Sequence, residues 1–330
     1  MIPTLTVSKR LEFAASHRLY LPQWNAEKNW EHYGPDSQGP YGHGHNFSAY
    51  FGFQGPIDPE TGMVVELSKL KARLTDRILH RYDHYFLNDL PQFSDSVPTI
   101  EHIAHTLFKD VVGEFTDTPY IPTSLQLIED PSSSVIIEGS RIVRQLQTAR
   151  GHYHLSGPLH NLTWDILPEN QLRCAMMDNN LALLPGVQQR DQIGVVALET
   201  PSLNGAIITC TSHFCATHFL QHPQKKPAEN TACYGKCHRP HGHRFEVLAQ
   251  FHTSRSDGTA LRQRFDAIIH EWDYQDLTSL PEFSGTLTSI EHVINGLWNK
   301  ILDRIHPDDG TICYLHIDET PNNRFILTSA

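Results

Sequence analysis

Two short strings carry the clearest chemical potential in this chain: His43-Gly44-His45 and His241-Gly242-His243. Residues i and i+2 of a β-strand face the same side, so each pair can offer two imidazoles to one ion. A third histidine precedes each pair at a matching place. His17 closes Phe13-Ala14-Ala15-Ser16-His17, and His218 closes Phe214-Cys215-Ala216-Thr217-His218. Three protein ligands and one open position make the pattern of catalytic zinc. A lone His-x-His is a weak signal, but the same three-histidine arrangement twice is far more specific. Histidine, the commonest metal ligand, occurs 22 times in 330 residues. All six cysteines (Cys174, Cys210, Cys215, Cys233, Cys237 and Cys313) lie in the second half, so thiol chemistry must originate there.

The elements that must position these residues also occur twice. Leu87–Leu107 and Leu277–Leu297 match at nine of 21 positions, so the chain reads as two related units. The first spans about residues 1–145 and the second about 195–330. A linker, 146–194, carries Trp164, Ile166 and Leu181–Leu184, enough apolar material to be structured. His43–Phe53 alternates and reads as a strand. Glu66–Tyr82 reads as a helix with an apolar stripe at Leu67, Leu70, Leu74, Ile78 and Tyr82. Thr99 is an expected N-cap for a second helix carrying Ile100, Ile103, Leu107 and Val111. The stripes recur at Leu261, Phe265, Ile268 and Trp272, then at Ile290, Val293, Leu297 and Ile301. An antiparallel sheet with two helices on one face, twice over, is an α+β fold.

Composition narrows the function. Hydrophobic residues are 39% of the chain, enough for real cores. The net charge of −11, without a run of Lys and Arg, argues against a nucleic-acid surface. No apolar run suits a membrane span, and the first residues lack the pattern of a signal peptide, so a cytoplasmic protein without disulfides is expected.

Taken in order, FAASHRL, the HGH strand, Gly55–Val64 (GPIDPETGMV), Tyr82–Pro91 (YDHYFLNDLP) and a late strand containing Glu resemble the 6-pyruvoyltetrahydropterin synthase family. Its bacterial branch includes 6-carboxytetrahydropterin synthase of the queuosine pathway. The resemblance implies tandem T-fold domains whose sheets close into a barrel across subunits, hence a homo-oligomer; three chains would supply six units. It implies Zn2+ on His17, His43 and His45, and again on His218, His241 and His243. It also implies a cysteine base, an Asp-His pair, and a glutamate holding the ring of the pterin substrate 7,8-dihydroneopterin triphosphate. Glu129 and Glu319 stand at the glutamate's position.

The two units depart from that pattern in complementary ways. Cys237 lies four residues before His241, whereas in the first unit that spacing falls on Gly39, or on Ser37 for a longer loop. The Asp-His pair is Asp83-His84 in the first unit but Asp273-Tyr274 in the second. A composite site of Cys237 with Asp83 and His84, assembled where a second unit meets a first unit across a domain or subunit interface, is favoured over two decayed copies, with a lyase most like 6-carboxytetrahydropterin synthase as the function. Elimination of triphosphate to give a 6-pyruvoyl product is the alternative, as is a non-catalytic pterin- or zinc-binding regulator. Cys233 with Cys237 could instead hold a structural zinc. Glu101 and Glu291, at helix starts, read as capping and dipole partners rather than site residues.

Overall fold

The computed structural model describes residues 3–94, 96–148, 151–158, 194–196, 206–254 and 258–329. The first unit runs β1 (Thr4–His17), α1 (Ala26–Tyr33), β2 (His43–Gln54), α2 (Leu67–Arg77), β3 (Tyr85–Phe86), α3 (Ile100–Glu114), β4 (Ile121–Asp130) and β5 (Ser133–Glu138). The second repeats it as β9 (Ala206–His218), α4 (Pro227–Tyr234), β10 (His241–Thr253), α5 (Thr259–His270), β11 (Gln275–Asp276), α6 (Ile290–Arg304), β12 (Thr311–Thr320) and β13 (Asn323–Thr328). Between them lie β6 (Arg141–Thr148), β7 (Gly151–Pro158) and β8 (Gly194–Val196). Trp164, Ile166 and Leu181–Leu184 lie outside the described residues.

The period-two pattern explains the strands. Phe47, Ala49, Phe51 and Phe53 of β2 are buried, as are Phe245, Val247, Ala249 and Phe251 of β10. The expected helical stripes are buried against them: Leu70, Leu74, Ile78 and Tyr82, then Ile100, Ile103, Leu107 and Val111. Burying one such side chain contributes roughly 1.5–3 kcal/mol. The helix expected over Glu66–Tyr82 ends at Arg77 and continues as a tighter turn over Leu79–Arg81. Thr99 caps α3 as expected, accepting from the His102 amide. The short helices α1 and α4 have no apolar stripe; only Asn29 and Tyr33 are buried in the first, and Asn230 and Tyr234 in the second. Periodicity therefore could not reveal them.

The sheets of the two units are one sheet. Strand β1 pairs with β13 from Thr4↔Thr328 to Lys9↔Asn323, so the two ends of the chain join the units edge to edge. The strand order is β11-β9-β10-β12-β13-β1-β2-β4-β5-β6-β7-β8, with β3 beside β1. Residues 146–148 thus belong to a strand continuous with the first unit's sheet. Among the described residues no helix is long and apolar enough to cross a membrane.

Candidate metal centres and an interdomain cavity

Pairing of β1 with β2 sets His17 opposite His43, and pairing of β9 with β10 sets His218 opposite His241. The ligand atoms of His17, His43 and His45 lie within 4.8 Å of one another, and so do those of His218, His241 and His243. Each leading histidine is locked. His17 Nδ1 lies 2.7 Å from the Pro98 carbonyl and His218 Nδ1 lies 2.8 Å from the Thr288 carbonyl. An Nδ1–H donated there leaves Nε2 as a lone pair aimed into the cluster, and both Nε2 atoms are buried without a hydrogen bond. A ring oriented by a carbonyl on its far nitrogen is the usual support of a metal ligand. These residues fit a divalent metal such as zinc. Gly42 matters for the approach: its φ is +64°, and a Cβ there would collide with the His17 carbonyl.

A glutamate stands behind each cluster. Glu129 Oε1 lies 3.4 Å from His17 Nε2 and 3.6 Å from His45 Nε2. Glu319 Oε1 lies 3.9 Å from His218 Nε2 and 3.7 Å from His243 Nε2. The closer carboxylate changes the balance. Burial lowers the pKa of His17, but Glu129 outweighs it and the net shift is upward. At His218 and His243 burial wins and the shift is downward.

The second cluster opens into a cavity of about 550 Å³ between the units. His218, His241, Cys237, Glu291 and Glu319 line it from the second unit, and Lys9, Met63 and Lys71 from the first. The loop before α2 closes one side. Val64 N–H donates to Glu291 Oε1 at 3.1 Å, and Ser289 Oγ donates to the Gly62 carbonyl at 2.6 Å. Burial pushes the Glu291 carboxyl up to about 7, with Glu319 adding to the rise. Glu291 was discounted as a capping residue by its position at a helix start. It is buried and lies on the cavity wall, a placement that depends on the Val64 contact 227 residues away.

The profile of the 6-pyruvoyl tetrahydropterin synthase family matches residues 6–140 and again 207–329. The chain belongs to that family. Human 6-pyruvoyl tetrahydrobiopterin synthase is 42% identical over 99 residues, 30% of this chain and 68% of that protein. The enzyme of that name from Poecilia reticulata is 33% identical over 134 residues, 40% of this chain and 89% of its own. The structure of Caenorhabditis elegans 6-pyruvoyl tetrahydropterin synthase, 29% identical, covers 42% of this chain and all of itself, with a TM-score of 0.38.

Two 6-pyruvoyl tetrahydropterin synthase-like units therefore share one chain, and their remaining expected residues separate sharply. Cys237 lies on the cavity wall, with its thiol pushed up by burial and then by Glu319, and Lys236 opposing. Cys233 lines the same wall, both cysteines pack against Leu220, Tyr234 and Leu287, and among the described residues the three-ligand clusters are the histidine ones. Asp83 and His84 are not brought to Cys237. Asp83 Oδ1 accepts from the Ala14 N–H at 2.8 Å, and the exposed His84 follows at a φ of +64°. Asp83 shares a recess with Lys9 and Lys71, while His84 lines a surface recess with His45. Asp273 repeats the geometry, accepting from the Cys215 N–H at 2.7 Å and placing Tyr274 at a φ of +57°.

The expected counterpart of Cys237 needs correcting. The Leu220 N–H donates to the Cys237 carbonyl at 2.8 Å, and the Leu19 N–H donates to the Asp36 carbonyl at 3.0 Å. Asp36, not Gly39 or Ser37, occupies the thiol's place. The loop from this residue to the HGH strand is longer in the first unit, seven residues to His43 against four to His241, so counting back from the histidines gave the wrong partner.

Proposed function

We propose that this chain, a lyase of the 6-pyruvoyltetrahydropterin synthase type, acts on 7,8-dihydroneopterin triphosphate in the interdomain cavity beside His218, His241 and His243. The observation that carries the reading is one cavity beside a three-histidine cluster that gathers Cys237, Glu291 and Glu319 on its walls. Its volume is in the range of small-molecule sites.

Each wall has a task. Glu319 and Glu291 can accept the paired N–H donors of an aminopyrimidinone ring, a geometry that suits carboxylates. Glu129 would do the same only at the first cluster. Lys9, Lys71 and Lys236 crowd one another enough that burial and the two neighbouring ammonium groups depress Lys9; a triphosphate would neutralise that excess. Cys237, as thiolate, would take a proton from the substrate side chain. Zinc bound by the three histidines would supply a Lewis acid at the side-chain hydroxyls and a positive charge favouring the thiolate.

Elimination of triphosphate to a 6-pyruvoyl product is the preferred outcome, because relatives of that name are 42% and 33% identical. Formation of a 6-carboxy product is the second reading, favoured by the four-residue spacing of Cys237 and His241. Anaerobic incubation of the zinc-loaded chain with 7,8-dihydroneopterin triphosphate, read by mass spectrometry, separates them. Retention of intact pterin without turnover would replace the lyase with a binding protein.

Asp83 and His84 would serve as proton shuttle for the cavity of a neighbouring chain in a homo-oligomer. Mixing Cys237→Ala and His84→Ala chains should then restore turnover that neither has alone. An inactive mixture with exchanged subunits would remove His84 from the mechanism.

A further inference from the structure

The two clusters differ most at one turn. Gly235-Lys236-Cys237 in the second unit corresponds to Gly34-Pro35-Asp36 in the first, through matching 3-10 turns and matching carbonyl contacts to Leu220 and Leu19. A lysine and a thiol are replaced by a proline and a carboxylate. The second cluster has Glu319 behind it, with Lys9, Lys69, Lys71 and Lys236 against Glu66 and Glu291 on its cavity walls. The first faces two carboxylates, Glu129 and Asp36, with Asp36 Oδ1 3.9 Å from His43 Nδ1.

That histidine nitrogen is a second difference. His241 Nδ1 is anchored 2.7 Å from the Arg239 carbonyl. His43 Nδ1 is buried with no hydrogen bond, and the Asp36 carboxylate stands 3.9 Å from it. A carboxylate this close to the cluster adds a negative charge beside the ion's place, worth roughly a 10–100-fold change in affinity at an effective dielectric of about 20. Neighbouring carboxylates also attract a dication that neighbouring ammonium groups repel.

We propose that Asp36 makes the first histidine cluster a tight, thiol-free holding site for a divalent metal, while the second cluster holds its metal more weakly beside Cys237. The proposal rests on the metal reading above and assigns Asp36 as the charge that strengthens the first cluster's hold on its ion. One site of the chain then keeps its ion for the fold, and the other uses its ion on substrate.

The test is metal binding itself. Zinc is titrated into the metal-depleted full chain against a chromophoric chelator, and cobalt(II) absorption reports the coordination of each class of site. Two classes are expected. His17→Ala should delete the tight one, Asp36→Asn should weaken it 10–100-fold, and Asp36→Glu should recover part of the loss. Cys237→Asp should tighten the weak class, a gain that misfolding could not produce. Two indistinguishable zinc sites, or an Asp36→Asn titration that overlays the wild type, would overturn the proposal and leave the metal reading standing. No zinc retained by any cluster would overturn both.

Discussion

The first and second histidine clusters share their three ligands, the carbonyl lock on the leading histidine, and a glutamate behind. They part at the turn that faces them. Cys237 stands over one, with lysines along the cavity, and Asp36 stands over the other. The comparison teaches that this scaffold fixes where a cation sits, while one turn of four residues decides what can be done beside it. A thiol can cycle between proton acceptor and donor near neutrality, whereas a carboxylate beside imidazoles is a standing negative charge.

The sharpest way to break the comparison is to remove a ligand from one side. His241→Ala should lower turnover more than about 10³-fold, since loss of Lewis acid and thiolate support together withdraws several kcal/mol from the transition state. Undiminished turnover would move the reaction to the first cluster. The cores offer a second contrast, because Tyr82 and Trp272 hold the same position with different polar tips. Trp272 is 1% exposed, and its Nε1 donates to Glu282 at 2.8 Å. Trp272→Ala should cost about 3–5 kcal/mol in a urea melt.

Glu291 gives a contrast in pH. Burial pushes its folded carboxyl up to about 7 from the 4.5 of a free glutamate, so the folded state holds the proton more tightly. Burial therefore costs nothing at low pH, and the cost grows as pH rises through this window to about 3 kcal/mol above it. Glu291→Gln, which can still accept from Val64 N–H, should stabilise the chain by up to that amount at pH 8 and hardly at all at pH 4. Equal gains at both would show that the carboxyl does not titrate with folding. The smallest expected effect is at Tyr82, whose hydroxyl donates to Asp110 Oδ2 at 2.6 Å. Tyr82→Phe should cost about 1.5–3 kcal/mol, the worth of a hydrogen bond to a charged group. A Phe variant as stable as wild type would make Tyr82 equivalent to an apolar Trp272.

What could be read directly was local. The strand alternation from Phe47 to Phe53, the stripe from Leu70 to Tyr82 and the cap at Thr99 follow from neighbours in the chain, and the recurring His-Gly-His strings pointed to the two histidine clusters. What escaped depends on pairings across long separations. The joining of β1 to β13 has no local signature. The place of Asp36 required knowing which carbonyl Leu19 contacts, because a loop of different length defeats counting. Glu291 looked like a helix-start acid until Val64, 227 residues away, was found donating to it. A site composed of Cys237 with Asp83 and His84 is expected where a second unit meets a first unit; Cys237 lies in the turn after α4, and His84 in the loop before β3.

The central claim is that turnover belongs to the second cluster and its thiol. Its most direct test is to give wild type and Cys237→Ala, each zinc-loaded and anaerobic, the same 7,8-dihydroneopterin triphosphate and to quantify products by mass spectrometry. The account predicts a pterin product from wild type and a 10²–10⁴-fold slower appearance from the variant, the usual contribution of a positioned proton acceptor. Equal rates from the two proteins would contradict it, because the cluster beside Asp36 has no cysteine to take over.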